Sequence, residues 1–250
     1  MLQSTDLIVP DWPAPKNVKA FFTTRNGGAS AGVYASLNLG AHVGDDPGRV
    51  EENRRRLREL LPAVPVWLNQ VHGVNVLRSD ARASGTDGAA AADASVTARR
   101  EVVCAVLVAD CLPVLFCTED GSRVGAAHAG WRGLQAGVLE QTVEAMGADP
   151  AHVLAWLGPA IGPNAFEVGA DVFEAFTLTA SEDAVAFRAI ADRSGKYFAD
   201  IYALARARLQ RAGVRKIFGG QFCTVSEPAR FFSYRRDGRT GRMAGLIWRE

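Results

Sequence analysis

The stretch VVCAVLVADCLPVLFCTEDGSRVGAAHAGWRG, residues 102–133, decides the fold class. Val102–Ala109 is wholly apolar and valine-rich, the composition of a strand covered on both faces. Leu112–Cys117 follows as a second strand, the EDGS segment at 119–122 is a turn, and Arg123–His128 is a third strand. Two short strands joined by a tight turn predict antiparallel neighbours inside a mixed sheet. Beyond them, Leu134, Val138, Leu139, Val143 and Met146 recur at helical spacing, so the pattern predicts a helix over Gly133–Met146.

Working outward, strands and helices alternate irregularly. Val18–Thr24 reads as a buried strand that runs into the Gly-rich loop RNGGASAG at Arg25. Asp46 and Pro47 form a helix entry, cap then first-turn proline, for a helix that stops at Pro62. Val64–Leu68 and Val74–Arg78 read as strands flanking NQVHG, and Ser79–Ala92 reads as a loop. Val153–Leu157 is a strand ending in GPAIGP, Asp200–Ala212 is a helix closed by Gly213, and Met243–Trp248 is the last strand. No repeat, low-complexity linker or hinge divides the chain. The expectation is one catalytic domain over residues 1–250, of α/β class, with mixed sheets flanked by helices rather than a doubly wound sheet.

Composition narrows the function. Lys and Arg total 28 against 27 Asp and Glu, so the chain lacks the basic field that nucleic-acid binding draws on. No segment reaches the ~18 consecutive apolar residues of a membrane span, and the first residues lack the basic-then-apolar order of a signal peptide. A cytoplasmic protein is expected, with Cys104, Cys111, Cys117 and Cys223 as thiols or ligands rather than disulfides.

Three segments end a strand in a metal-competent residue beside Gly or Pro: QVHG at 70–73, ADCLP at 109–113 and AHAGWRG at 127–133. Loops open at strand ends while the sheet stays rigid, which is where α/β proteins present reactive side chains. His72, Cys111 and His128 together make a tripod suited to zinc, with a fourth position left for water or substrate. Taken singly, each is equally compatible with a small buried thiol or an imidazole satisfying the backbone. A closed structural site is also compatible, with Cys223 as its fourth ligand.

NQVHG, ADCLPV, AAHAGWRG, GPAIGPNAFEVG and FFSYRRDGRTGRMA occur in the order found in the laccase-domain, or polyphenol oxidase, family, and FTTRNGGAS, SLNLGAHVGDDP and NRRRL match as well. The chain resembles that family from about Phe22 to Ala244. The resemblance implies a fold related to cysteine hydrolases and a zinc site on His72, Cys111 and His128. It also implies purine nucleoside phosphorylase activity, on adenosine, inosine, guanosine and methylthioadenosine, with adenosine deaminase activity beside it. Purine nucleoside and phosphate would then be the partners. A multicopper centre needs more imidazoles than the four histidines present, although copper is expected to occupy the same tripod.

Phosphorolysis needs a phosphate cradle, and Arg25 in its Gly-rich loop, Arg132, and Arg235 with Arg236 are the candidates. Deamination needs a carboxylate to move a proton. Asp93, carried over from the family, is taken as that acid/base, and Asp110 as structural. Trp131 is a candidate to stack on the purine, and Asn38 and His42 to line its pocket, with turn chemistry as the alternative for both. Cys111 has a second reading, as the nucleophile of a cysteine hydrolase or amidase acting on a peptidoglycan-related substrate. Copper-loaded phenol oxidation is a third.

Overall fold

The computed structural model describes residues 2–81 and 91–250. Among these, the larger sheet runs in the order Lys216–Gly219, Val153–Leu157, Leu112–Thr118, Val124–Ala129, Ala94–Thr97, Val76–Arg78. Its two outermost pairs are parallel and its inner pairs antiparallel. The pair expected on either side of the EDGS turn is present, with Leu112 opposite Ala129 and Cys117 opposite Val124. A second, antiparallel sheet runs Leu7–Ile8, Val18–Thr23, Met243–Arg249, Cys104–Val108. A small third sheet joins Phe187–Ala189, Lys196–Ala199 and Glu167–Gly169.

Side-chain alternation stacks these parts. Along Leu112–Thr118, Val114 and Phe116 face one way, into the helices Val138–Met146 and Ile201–Arg211. Leu115 and Cys117 face the other way, against Phe22, Val106 and Ile247 of the second sheet. A strand buried on both faces has no polar alternation to show, which is why its sequence is a plain apolar run. The second sheet's outer face is covered by the helix Pro47–Arg58 through Leu57, with Leu37, Leu39 and Trp67. Asp46 caps that helix by accepting the Arg49 N–H at 3.0 Å. The mixed α/β class stands as expected, and no helix among the described residues is long and apolar enough to cross a membrane.

Several expectations are corrected. Val64–Leu68 is not a strand: Val66 makes a single bridge to Cys104. The helix over 133–146 breaks at Gly137, whose φ of 104° is open to glycine and strained for other residues, giving Trp131–Ala136 and Val138–Met146. The apolar period survives the break because both pieces pack on one sheet. The helix begun at Pro47 ends at Arg58, short of Pro62. Of the loop expected over Ser79–Ala92, Ser79–Ala81 is a 3-10 turn, while 82–90 lie outside the described residues. Ala94–Thr97, the helix Ala170–Thr177 and the small sheet had no expectation attached.

Candidate metal centre

His128 stands near the end of the strand Val124–Ala129, Cys111 at the end of the three-residue step between Val108 and Leu112, and His72 in the loop before Val76. Their donor atoms all lie within 4.8 Å of one another. Cys111 Sγ is 3.8 Å from His72 Nε2, near the edge of about 3.5 Å that a tetrahedral zinc site with one sulfur and one nitrogen would have. His128 is buried, Cys111 half-buried and His72 exposed, so the tripod opens outward through His72.

Two carboxylates fix this triangle. Asp93, fully buried, accepts the backbone N–H groups of Val71, His72 and Gly73 at 3.2, 2.9 and 2.7 Å. The same carboxylate receives His128 Nδ1–H at 2.8 Å, which leaves Nε2 as the donor facing the site. Those bonds compensate a left-handed backbone at His72, φ 60°, a conformation unfavourable for a side chain of that kind. Asp110 is the second carboxylate, and its own φ is 94°. It accepts Thr224 Oγ1–H and the Arg235 N–H, both at 2.6 Å, tying the turn before Cys111 to the chain's last quarter.

The electrostatics follow from that packing. Burial alone would raise the Cys111 thiol, but the His128 charge and hydrogen bonds with His128 and His72 bring it down to about 6. Burial would likewise lower His128, yet the Cys111 thiolate and the Asp93 hydrogen bond hold it up, to about 9. Each group thus favours the charged form of the other, and a metal ion held by both would displace a proton on binding. Gly130 completes the cradle: a Cβ there would lie 2.9 Å from both Cys111 Sγ and His72 Cδ2.

A cavity of about 420 Å³ opens over the tripod, within the range of small-ligand sites. His42, Gln70, Tyr234 and Arg242 line it together with the apolar residues Leu107, Val108 and Ala109. Gln70 is clamped to Leu107 in both directions, at 2.8 and 2.7 Å, and so anchors the loop that carries His72. Arg242 donates through Nη1 to the carbonyls of Thr240 and Gly241, at 3.0 and 3.1 Å. Burial, then the positive charges of Arg242 and Arg54, push His42 below its ordinary value.

The structure gathers only part of the sequence-derived set here. Asp93, the acid/base candidate, has its carboxylate occupied by four hydrogen bonds, which hold the His128 ring and the His72 loop. Arg25 bonds the carbonyls of Ala35 and Pro228 and stacks over Phe232 at 4.6 Å, outside the cavity lining. Asn38, fully buried, spends its amide on Gly40, Asp45 and the Arg242 N–H, which is turn chemistry. Trp131 packs against the helical core with Arg132 over its ring at 4.4 Å, and neither lines the cavity. Arg235 donates through Nη1 to the Glu167 carbonyl. Tyr234 and Arg242, beside or near Arg235 in FFSYRRDGRTGRMA, were overlooked. The signal was that motif itself, of which the Arg235–Arg236 pair was singled out and its two neighbours were not. Cys223 is not in the donor group: it is half-buried beside Gly162 and Ser226.

A family model described as multi-copper polyphenol oxidoreductase laccase matches residues 19–250. The purine nucleoside phosphorylase YfiH of Escherichia coli is 57% identical over 244 residues, covering 97% of this chain and 98% of its own. A Pseudomonas aeruginosa protein, also named a purine nucleoside phosphorylase, is 55% identical over 241 residues, covering 96% and 97%. Among solved structures, a Neisseria meningitidis protein superposes with TM-score 0.94 at 53% identity, covering 98% of this chain and 99% of that one. YlmD from Geobacillus stearothermophilus gives 0.90 at 33%, over 100% and 98%. With the family model spanning nearly the whole chain and such relatives sharing its fold, the chain belongs to the multi-copper polyphenol oxidoreductase laccase family.

Proposed function

We propose that the chain is a zinc-dependent purine nucleoside phosphorylase, acting on adenosine, inosine, guanosine and methylthioadenosine, with adenosine deaminase activity at the same site. Residues 1–250 would form one catalytic domain. The observation that carries this reading is the open tripod of His72, Cys111 and His128 under a cavity of about 420 Å³. The names of relatives above half identity support it. The four histidines of the chain speak against a multicopper cluster, despite the family's description, although one copper ion fits the same donors.

Bound zinc would supply a Lewis acid and a water of pKa near ~7. The chain's own residues do the rest. Asp93 holds the His128 ring so that Nε2 faces the site. Arg242, braced against two carbonyls, presents cationic charge to phosphate, and His42 beside it offers a neutral imidazole. Leu107–Ala109 keep one wall dry, which strengthens those polar contacts.

A second reading rests on a specific feature. Cys111, His128 and Asp93 stand in the order nucleophile, base and orienting carboxylate, so the metal-free site has the parts of a cysteine hydrolase or amidase. One experiment separates the two. Purified protein is given adenosine with and without phosphate, before and after chelation. Phosphate-dependent release of adenine, lost on chelation and restored by zinc, is expected. Base release indifferent to phosphate would remove the phosphorylase assignment. Amide hydrolysis that survives chelation, and stops when Cys111 is alkylated, would favour the second reading.

A further inference from the structure

We propose that Tyr234 is the residue that recognises the purine ring, its phenol forming the aromatic wall of the cavity over the metal tripod. The inference rests on the nucleoside reading and adds the residue that selects the base. Apart from its imidazoles, Tyr234 is the one aromatic side chain lining that cavity among the described residues. Arg242 and the apolar Leu107, Val108 and Ala109 line the same cavity. A flat, apolar-faced, polar-edged ligand suits such a mixture.

Tyr234 is 62% exposed, uncommon for a large aromatic, and its ring contacts no other aromatic ring among the described residues. The fold therefore leaves this ring uncovered while burying Phe231 and Phe232 just before it. The backbone that carries it is nevertheless held. Ser233 caps the short helix Tyr234–Asp237 by accepting the Arg236 N–H at 3.2 Å. The next residue, Arg235, gives its N–H to Asp110, whose neighbour Cys111 is a tripod member. One carboxylate thus ties the backbone beside Tyr234 to the turn that carries Cys111. Trp131, the aromatic that sequence alone favours, is covered by Arg132 and faces the helical core.

The test compares Tyr234→Ala and Tyr234→Phe with the wild type, by steady-state kinetics on inosine with phosphate and by calorimetric titration of inosine, which has no amine to lose, without phosphate. Base stacking on an aromatic ring is worth roughly ten- to a hundredfold in affinity. For Tyr234→Ala we expect the inosine KM and Kd to rise by about that factor, with kcat and the phosphate KM within about twofold, the split of lost ground-state binding. Tyr234→Phe should keep both constants near wild type. Metal content, unchanged in both variants, verifies that the tripod is intact. An alanine variant with unaltered inosine KM and Kd overturns the proposal, as does a phenylalanine variant as weak as alanine. Should the wild type bind inosine without consuming it, the phosphorylase reading falls while the Kd comparison still decides on Tyr234. If it neither binds nor consumes inosine, both fall.

Discussion

The thiols of Cys104 and Cys117 lie between the two large sheets, where burial pushes each up to about 12. Cys111 sits between them in sequence but at the end of the sheet, where His128 and His72 bring its thiol down to about 6. All three are short side chains removed from much of the solvent. The separation comes from what else reaches the place: apolar atoms in one region, two imidazoles and their carboxylate in the other. Burial raises a thiol in both, and only a nearby cation reverses it.

The largest test of that contrast is alkylation of the metal-free protein. At pH 7 the thiolate fractions differ by about 10⁵-fold, so iodoacetamide should modify Cys111 while Cys104 and Cys117 stay intact until unfolding. Peptide mapping across pH should place the half-rate for Cys111 near pH 6. His128→Ala breaks the contrast: Cys111 alkylation at pH 7 should slow by at least about tenfold, and the metal content, expected at about one per chain in the wild type, should be lost. Retention of both would show that His128 neither charges the thiol nor holds the ion.

Asp93→Asn keeps the shape and removes the anion. Metal affinity should fall about 10- to 100-fold, as for other groups that orient a ligand, read by competition with a chromogenic chelator. A pH signature accompanies it. Burial works against the Asp93 carboxylate, but bonds from His128 and the Val71–Gly73 backbone hold it below its ordinary value. The stability it contributes is therefore present above an unfolded value of ~3.9 and is lost as pH falls through the lower folded one. Urea midpoints should drop more steeply below pH 4 for the wild type than for Asp93→Asn. A smaller effect is expected from Gly130→Ala, whose new Cβ crowds Cys111 and His72: about 1–3 kcal/mol of overpacking, seen as weaker metal binding in a protein that still folds. Unchanged affinity would mean that the cradle yields.

How much of this was legible in the sequence follows the same division. The strand 112–118 and its partner were readable because both faces are apolar and a turn separates them. The tripod members were visible as strand-end residues, though only their order among the family motifs tied them to one site. What escaped depends on distant chain. Ala94–Thr97 is four small residues whose strand character comes from its neighbours on either side. Arg25 looked like a phosphate ligand until it met carbonyls 10 and 203 residues away. Tyr234 joins the cavity through Asp110, 125 residues before the Arg235 N–H it holds. Local pattern carries no trace of such contacts.

The sharing of one carboxylate by His128 and the His72 loop has a mechanical consequence. With the His128 ring and the backbone that carries His72 both anchored to Asp93, the tripod has fewer degrees of freedom than three separate residues would have. Its stiffness acts as a filter on shape. An ion content with three donors and a tetrahedral fourth position binds without deforming anything, whereas one that prefers a flattened, four-in-plane arrangement must pull against Asp93 and the strained backbone at His72. Selectivity between zinc and copper would then be written in the rigidity behind the ligands as much as in the ligands themselves.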